Sequence, residues 1–273
     1  MNQSSVFFKH HSFNKELNSD LELLIHCSKN AVAYAIKTIK SNQIIAIYSV
    51  QNKPHAMDVL RNELKNRIEL QQHFKEVHIC YAAGNEILVP EWIANKPQNW
   101  INNFLVPSND KNLIPTETIN GMVPMVEIPD ELERLLQEFG FHKINYYHPV
   151  SVFLNKEDGL YIDFNSNSAY FVYLKNNTLQ FQKTFEITNA DELNYFILLL
   201  KDQLNIENET PVFLLGLIDQ GDNYYARIIK YFKEVNFHIN ENSSFKETIN
   251  QNLPEHYFTA LISLNTCASL AEN

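Results

Sequence analysis

Glycine, arginine and cysteine are all scarce in this chain. Its 273 residues hold six Gly, three Cys and four Arg (Arg61, Arg67, Arg134 and Arg227). So few glycines disfavour an enzyme built on Gly-rich loops, where backbone N–H groups must approach phosphates closely. So few arginines leave little material for bidentate phosphate clamps. Acidic residues outnumber basic ones 32 to 22, a net charge of −10. That opposes nucleic-acid binding, which needs clustered Lys and Arg. Cys27, Cys80 and Cys267 are isolated and odd in number. They fit reduced, buried thiols in a cytoplasm better than a disulfide framework or a zinc site. The longest apolar runs, Tyr195 to Leu200 among them, are far too short to span a bilayer. The stretch from Met1 to Asp20 lacks the apolar region and cleavage site of a signal peptide. No membrane association is expected. G-x-S-x-G, H-E-x-x-H, G-x-x-x-x-G-K-[ST] and G-x-G-x-x-G are absent, so the common hydrolase, metalloprotease and nucleotide-loop signatures are missing.

What the chain does have is core-forming material. Hydrophobic residues make up 45% and charged residues 20%, a globular composition. The length allows one large domain or two of about 100–150 residues.

An internal repeat organises it. Leu23–Val50 and Leu160–Ile187 stand at an offset of 137 residues. Each reads as three strands of β-branched and aromatic residues joined by tight polar turns, Ser28–Asn30 and Lys40–Asn42 in the first, Asn165–Asn167 and Asn176–Thr178 in the second. A helical pattern follows each: Pro54 to Phe74, and Asp191 to Leu204 behind a capping box at Thr188 and Asp191. Fourth strands are expected at Val77–Ala82 and Val212–Ile218, with Gly84 falling on Gly221 at the same offset. The second copy continues with a helix over Asn223–Lys233 and a closing strand over Val235–Ile239. Each half is therefore β-β-β-α-β-α-(β).

Seven of the ten prolines lie between Pro90 and Pro149. This stretch reads as a Pro-rich segment, 86–121, and a compact β-α-β unit, 122–147, at the tail of the first domain. The expected domains are 1–148 and 149–273, with a final helix over Leu253–Ala268 packed on the second. The fold class is α/β, with two βββαβα(β) domains whose mixed sheets face a cleft.

That duplicated arrangement resembles the ribonuclease-H-like fold of the actin, chaperone and sugar-kinase superfamily. The chain is similar, over nearly its full length, to DUF3822, a bacterial family of unknown function with an actin-like ATPase fold. Leu88-Val89-Pro90-Glu91, Val126-Glu127-Ile128-Pro129-Asp130-Glu131-Leu132, His148-Pro149-Val150-Ser151, Ile162-Asp163-Phe164-Asn165 and His256-Tyr257-Phe258 with Cys267 carry the likeness in that order.

The resemblance implies a place to look for nucleotide. In the superfamily the first hairpin of each domain holds phosphates with backbone N–H groups, and its Asp holds hydrated Mg²⁺. Here the second hairpin keeps Asp163, while Asn165, Ser166 and Asn167 stand where Gly is expected. Asn tolerates left-handed backbone, so that turn is expected to close without glycine. In the first hairpin His26 takes the place of Asp163, followed by Lys29. Beyond the fourth strand, Gly216 to Gly221 carries single glycines, with Asp219 between them, and no Gly-Gly pair. Asp163, Asn165, Ser166, Asp219, Gly221 and Lys29 are the candidates for binding ATP with Mg²⁺. The bland reading of the same residues is turn formation. No catalytic residue and no metal ligand is assigned. His10-His11 and the His73/His78 pair lack metal-ligand spacing. Tyr146-Tyr147, Tyr224-Tyr225 and Trp92/Trp100 are candidate contact aromatics, with core or loop anchoring as the plainer role.

The function expected from these residues is a degenerate binding or scaffold module with a protein partner, alone or as a homodimer, cytoplasmic and without a cofactor. The alternative is an atypical ATPase using Asp163, Asn165 and Asp219. A ribonuclease-H-like nuclease would need further converging carboxylates, and the pattern places none.

Overall fold

The structure is a computed structural model of the chain; it describes residues 5–11, 13, 20–51, 55–82, 87–95, 111–153, 156–239 and 254–270, with side chains to residue 264 in the last segment. Two compact units emerge. The first holds the described residues up to Val152 and those from Leu261 onward; the second holds those from Phe153 to Ile239 together with Pro254–Ala260. The final helix was expected to join the second unit whole. It divides at Ala260.

In the first unit a six-stranded sheet has the order β1-β4-β3-β2-β5-β9. Its strands are β1 (Ser5–Lys9), β2 (Leu21–Ser28), β3 (Ala31–Thr38), β4 (Ile44–Val50), β5 (Phe74–Tyr81) and β9 (Ile144–Tyr147). Strands β2, β3 and β4 pair antiparallel, and β5 and β9 add in parallel. Helix α1 (Ala56–Asn66) crosses from β4 to β5. A small sheet, β6-β8-β7, intervenes after β5, from β6 (Ile87–Pro90), β7 (Lys111–Pro115) and β8 (Met122–Pro129). A single helical turn, α2 (Glu91–Ala94), follows β6. Helix α3 (Asp130–Glu138) then leads back to β9.

The second unit has the order β12-β11-β10-β13-β14. Here β10 (Gly159–Asn165), β11 (Ser168–Lys175) and β12 (Thr178–Glu186) are antiparallel, and β13 (Val212–Gly216) and β14 (Val235–Phe237) run parallel to β10. Helices α4 (Ala190–Leu204) and α5 (Asn223–Ile228) make the two crossovers, and only Thr259 and Ala260 of α6 (Thr259–Leu270) belong to this unit.

The duplication is thus explicit. Both sheets place their own strands in the order three-two-one-four-five with the same directions. The first hairpins pair Ser28 with Ala31 and Asn165 with Ser168, which keeps the offset of 137. The packing repeats as well. Leu60 and Leu64 of α1 share one core with Leu132, Leu135 and Leu136 of α3. Leu193, Ile197 and Leu200 of α4 share another with Ile228 of α5. In each unit both crossover helices bury an apolar stripe on the same sheet face, because residues three and four apart line one side of a helix.

Three sequence expectations change. The segment 122–147 is not a β-α-β unit, since β8 lies in the small sheet and β9 in the large one. Instead α3 is the second crossover of the first copy, delayed by an insertion. Second, β1 adds an antiparallel strand on β4 that the sequence reading left out. Third, α4 is capped one residue later than expected: Asn189 accepts from the N–H groups of Asp191 and Glu192, and Glu192 turns back to the Thr188 N–H and hydroxyl. Helix α3 is well signalled at both ends. Three acids in its first turn complement the helix dipole. At its end Gly140 (φ +74°) donates to the Gln137 carbonyl and Phe141 to the Leu136 carbonyl, a Schellman stop.

Candidate functional site

The candidate site of the second unit lies where β10 ends beside β13. β10 is central, with β11 on one side and β13 on the other, so its residues are buried from Gly159 to Phe164. Strand alternation sends Leu160, Ile162 and Phe164 into the helix-covered core and Tyr161 and Asp163 to the opposite face. Tyr161 stacks on Phe213 there, ring centroids 4.7 Å apart. Asp163 follows at the strand end, 7% exposed. Burial alone lifts its carboxyl from the ordinary value of 3.8 to about 7.

Gly216 closes in on that carboxyl. It ends β13 with φ +72°, and a Cβ there would lie 2.5 Å from Asp163 Oδ1 and 2.1 Å from the Phe164 carbonyl oxygen. The chain leaves the sheet by this contact, with the Leu217 N–H donating to the Phe164 carbonyl at 2.8 Å. Gly216 was missed as a site residue. The signal available was a lone glycine at a strand end in a glycine-poor chain.

Asp219 has partners of its own. Its Oδ2 accepts from the Tyr257 hydroxyl at 2.7 Å, and its N–H donates to Asp222 Oδ2 at 2.7 Å. His256 pairs its Nε2 with the Ile218 carbonyl at 2.7 Å. The backbone acceptor fixes Nε2 as the protonated nitrogen. Tyr257 and His256 therefore fasten the segment after β13, a role that the His256-Tyr257-Phe258 motif signalled without explaining. No hydrogen bond joins Asp163 to Asp219 among the described residues. No cluster of three His, Cys, Asp or Glu able to hold a metal forms among them either.

The remaining candidates are turn residues. Ser166 and Asn167 make the two-residue turn between β10 and β11, with Asn165 and Ser166 half-buried. The turn closes without glycine, and it does so without left-handed backbone: no residue of this turn, nor Lys29 or Asn30 in the first copy, has positive φ. Gly221 is exposed, with nothing within 4 Å of a Cβ. Gly84 lies outside the described residues. The described parts of the fourth strands have their own register: Tyr81 pairs with Cys27 where Gly216 pairs with Phe164. The fourth strands are thus offset by 135 residues and not 137. In the first unit His26 occupies the place of Asp163, two residues before the turn and opposite the core-facing Ile25 and Cys27. Burial lowers its pKa to about 4, so it is neutral at physiological pH. Lys29 is exposed in the following turn.

The aromatic candidates divide. Tyr147 pairs its hydroxyl with His78 Nδ1 at 3.1 Å, Tyr224 stacks on Phe164 and Tyr225 on Phe237. These are anchors. Trp92 is 65% exposed, and Trp100 lies outside the described residues. His10 is buried beside Gln43 and His78 is buried beside Tyr147, and neither joins a metal-ligating group.

Duplicated sheets of this order and direction, each with two crossover helices, define the ribonuclease-H-like, actin-like ATPase fold. Comparison with solved structures agrees. A Bacteroides thetaiotaomicron VPI-5482 protein described as having an actin-like ATPase fold and unknown function matches with a TM-score of 0.70 and 13% identity, over 93% of this chain and 98% of that one. The cytoplasmic domain of EpsL, an inner membrane component of the Vibrio cholerae type II secretion system, matches at 0.52 and 14%, over 92% and 95%. A PilM–PilN type IV pilus biogenesis complex matches at 0.53 and 10%, over 90% and 97%. At these identities the likeness shows the fold. No curated protein matches by sequence. The family model described as "Protein of unknown function (DUF3822)" matches residues 10–235, and the chain belongs to that family. None of the described helices is long and apolar enough to cross a membrane.

Proposed function

We propose that this chain is a cytoplasmic binding or scaffold module built on the actin-like fold and lacking ATP hydrolysis. The observation that carries the reading is that no group of three His, Cys, Asp or Glu able to hold a metal forms among the described residues, and that Asp219 Oδ2 is already taken by the Tyr257 hydroxyl. Asp163 stands beside Gly216 while Asp219 is held by Tyr257. A hydrated Mg²⁺ between nucleotide phosphates draws on several oxygen ligands at once. His26 in place of the first copy's acid and side chains in place of hairpin glycines support the same reading. A protein partner is supported by the PilM–PilN complex among the structural relatives. The charge of −10 supports neither a nucleic acid nor an anionic membrane as partner. The buried cysteines Cys27 and Cys80 support a reducing compartment.

Thermal melting with and without millimolar Mg-ATP tests the reading. A ligand at 100 times its Kd would stabilise by about 2.7 kcal/mol, several degrees in Tm. The expected result is no shift. A shift that disappears in Asp163→Ala overturns it in favour of nucleotide binding through Asp163, Asn165 and Asp219.

A further inference from the structure

The two crossover helices α1 and α4 occupy the same place in their respective copies, yet their outer faces differ. The exposed positions of α1 are Asp58, Asn62, Lys65 and Asn66. Those of α4 include Tyr195, Leu198 and Leu199, which are 60%, 43% and 36% exposed. They are spaced at i, i+3 and i+4 and form one outward stripe. The inner stripe of α4, Leu193, Ile197 and Leu200, is already fully used in the core. The helix is thus apolar on two sides, which a helix covering one sheet does not require. Its sister helix shows that the position in the fold does not demand it.

The stripe is bracketed by acids. Asp191 lies one turn before Tyr195, and its side chain is 84% exposed although it accepts from Arg227 at 2.7 Å. Asp202 lies one turn after Leu198 and Leu199 and is exposed. The bracket spans about 16 Å, three helical turns. This charge pattern selects the occupant. A second copy docked by a two-fold axis would set acids against acids whichever way the helices ran. An anionic lipid surface would meet the same repulsion.

We infer that the outer face of α4 is a docking surface for an amphipathic helix of a different protein, with a leucine-type stripe flanked at both ends by Lys or Arg. The inference rests on the binding-module reading and supplies its surface. The leucine stripe of the incoming helix lies along Tyr195, Leu198 and Leu199, and its terminal cations reach Asp191 and Asp202.

The test uses the full chain and two labelled 18-residue helical peptides sharing one leucine stripe, one flanked by Lys and the other by Glu. Fluorescence anisotropy is expected to show the Lys-flanked peptide binding at least tenfold more tightly than its twin, with the difference shrinking in high salt. Leu198→Asp and Tyr195→Ser are each expected to weaken binding at least tenfold with Tm unchanged, since both side chains are exposed. Equal binding of the twins, or binding indifferent to both substitutions, overturns the inference. So does a dimer in sedimentation that Leu198→Asp dissolves, or flotation with phosphatidylserine vesicles that the same substitution abolishes. Mg-ATP melting probes the hairpin of β10 and not α4, so the two proposals fail separately.

Discussion

Gly216 and Asp163 are in contact across the end of two parallel strands: a methyl group on Gly216 would sit 2.5 Å from Asp163 Oδ1. The backbone at Gly216 is left-handed, with φ +72°. Both conditions demand glycine, one by torsion and one by space.

Gly216→Ala is therefore expected to destabilise the protein by about 3 kcal/mol or more, because strain and a backbone clash add. Gly221→Ala, in open space, is expected to stay within about 1 kcal/mol. Urea unfolding of the two variants side by side checks the contrast.

Asp163 makes stability fall as pH rises. Its folded pKa of about 7 exceeds the ordinary 3.8, so between those values the folded state holds a proton that the unfolded state has released. That contribution is present below about pH 4 and is lost by about pH 7. Asp163→Asn is expected to match the parent near pH 4 and to exceed it by up to about 4 kcal/mol at pH 8. Denaturation midpoints at the two pH values decide it; a constant difference defeats the prediction.

His148 acts in the opposite direction. Burial lowers its pKa from 6.5 to about 4, and its Nδ1 accepts from the Val150 N–H at 3.1 Å. Its contribution is intact above pH 6.5 and is lost as pH falls toward 4. Asn at this position keeps an acceptor for the N–H two residues on and cannot titrate. His148→Asn is expected to flatten the acid limb of the stability curve by roughly one proton.

Tyr257→Phe removes the hydroxyl that donates to Asp219 Oδ2. The expected loss is about 1.5–3 kcal/mol, the range for a hydrogen bond to a charged group. Faster hydrogen exchange is expected over Leu217–Asp222, the segment the bond fastens.

Arg67 ties β1 to the first unit. Its Nε donates to buried Glu63 at 2.7 Å, and its guanidinium lies 4.7 Å from the Phe7 ring and 5.2 Å from the Tyr48 ring. Arg67→Ala removes the bond to a buried carboxylate and uncovers both rings, an expected cost of about 2 kcal/mol. Arg67→Lys is expected to recover less than half, since a point charge cannot reproduce a stacked plane. Exchange of the Ser5–Lys9 amides reports it directly.

Much of this was legible in the chain. Strand alternation and paired turns at one fixed spacing disclosed the hairpins of both copies, because hairpin register is local. The second crossover of the first copy was not legible. Leu132, Leu135 and Leu136 announced a helix, but nothing local said that β8 before it and β9 after it belong to different sheets. Register across parallel strands was illegible too: Tyr81 and Gly216 share a place although their numbers differ by 135, because the crossover between parallel strands leaves length free to vary.

The sequence by itself determined the duplicated βββα units, their turns, and the retention of Asp163 against the substitution of His26. These follow from neighbours within a few residues. Only the tertiary structure decided that Gly216 would press on Asp163, that Tyr257 would take Asp219, and that Tyr195, Leu198 and Leu199 would be left outside the core. Each of those outcomes depends on which distant surfaces meet, and hydrophobic burial rewards area without specifying partners.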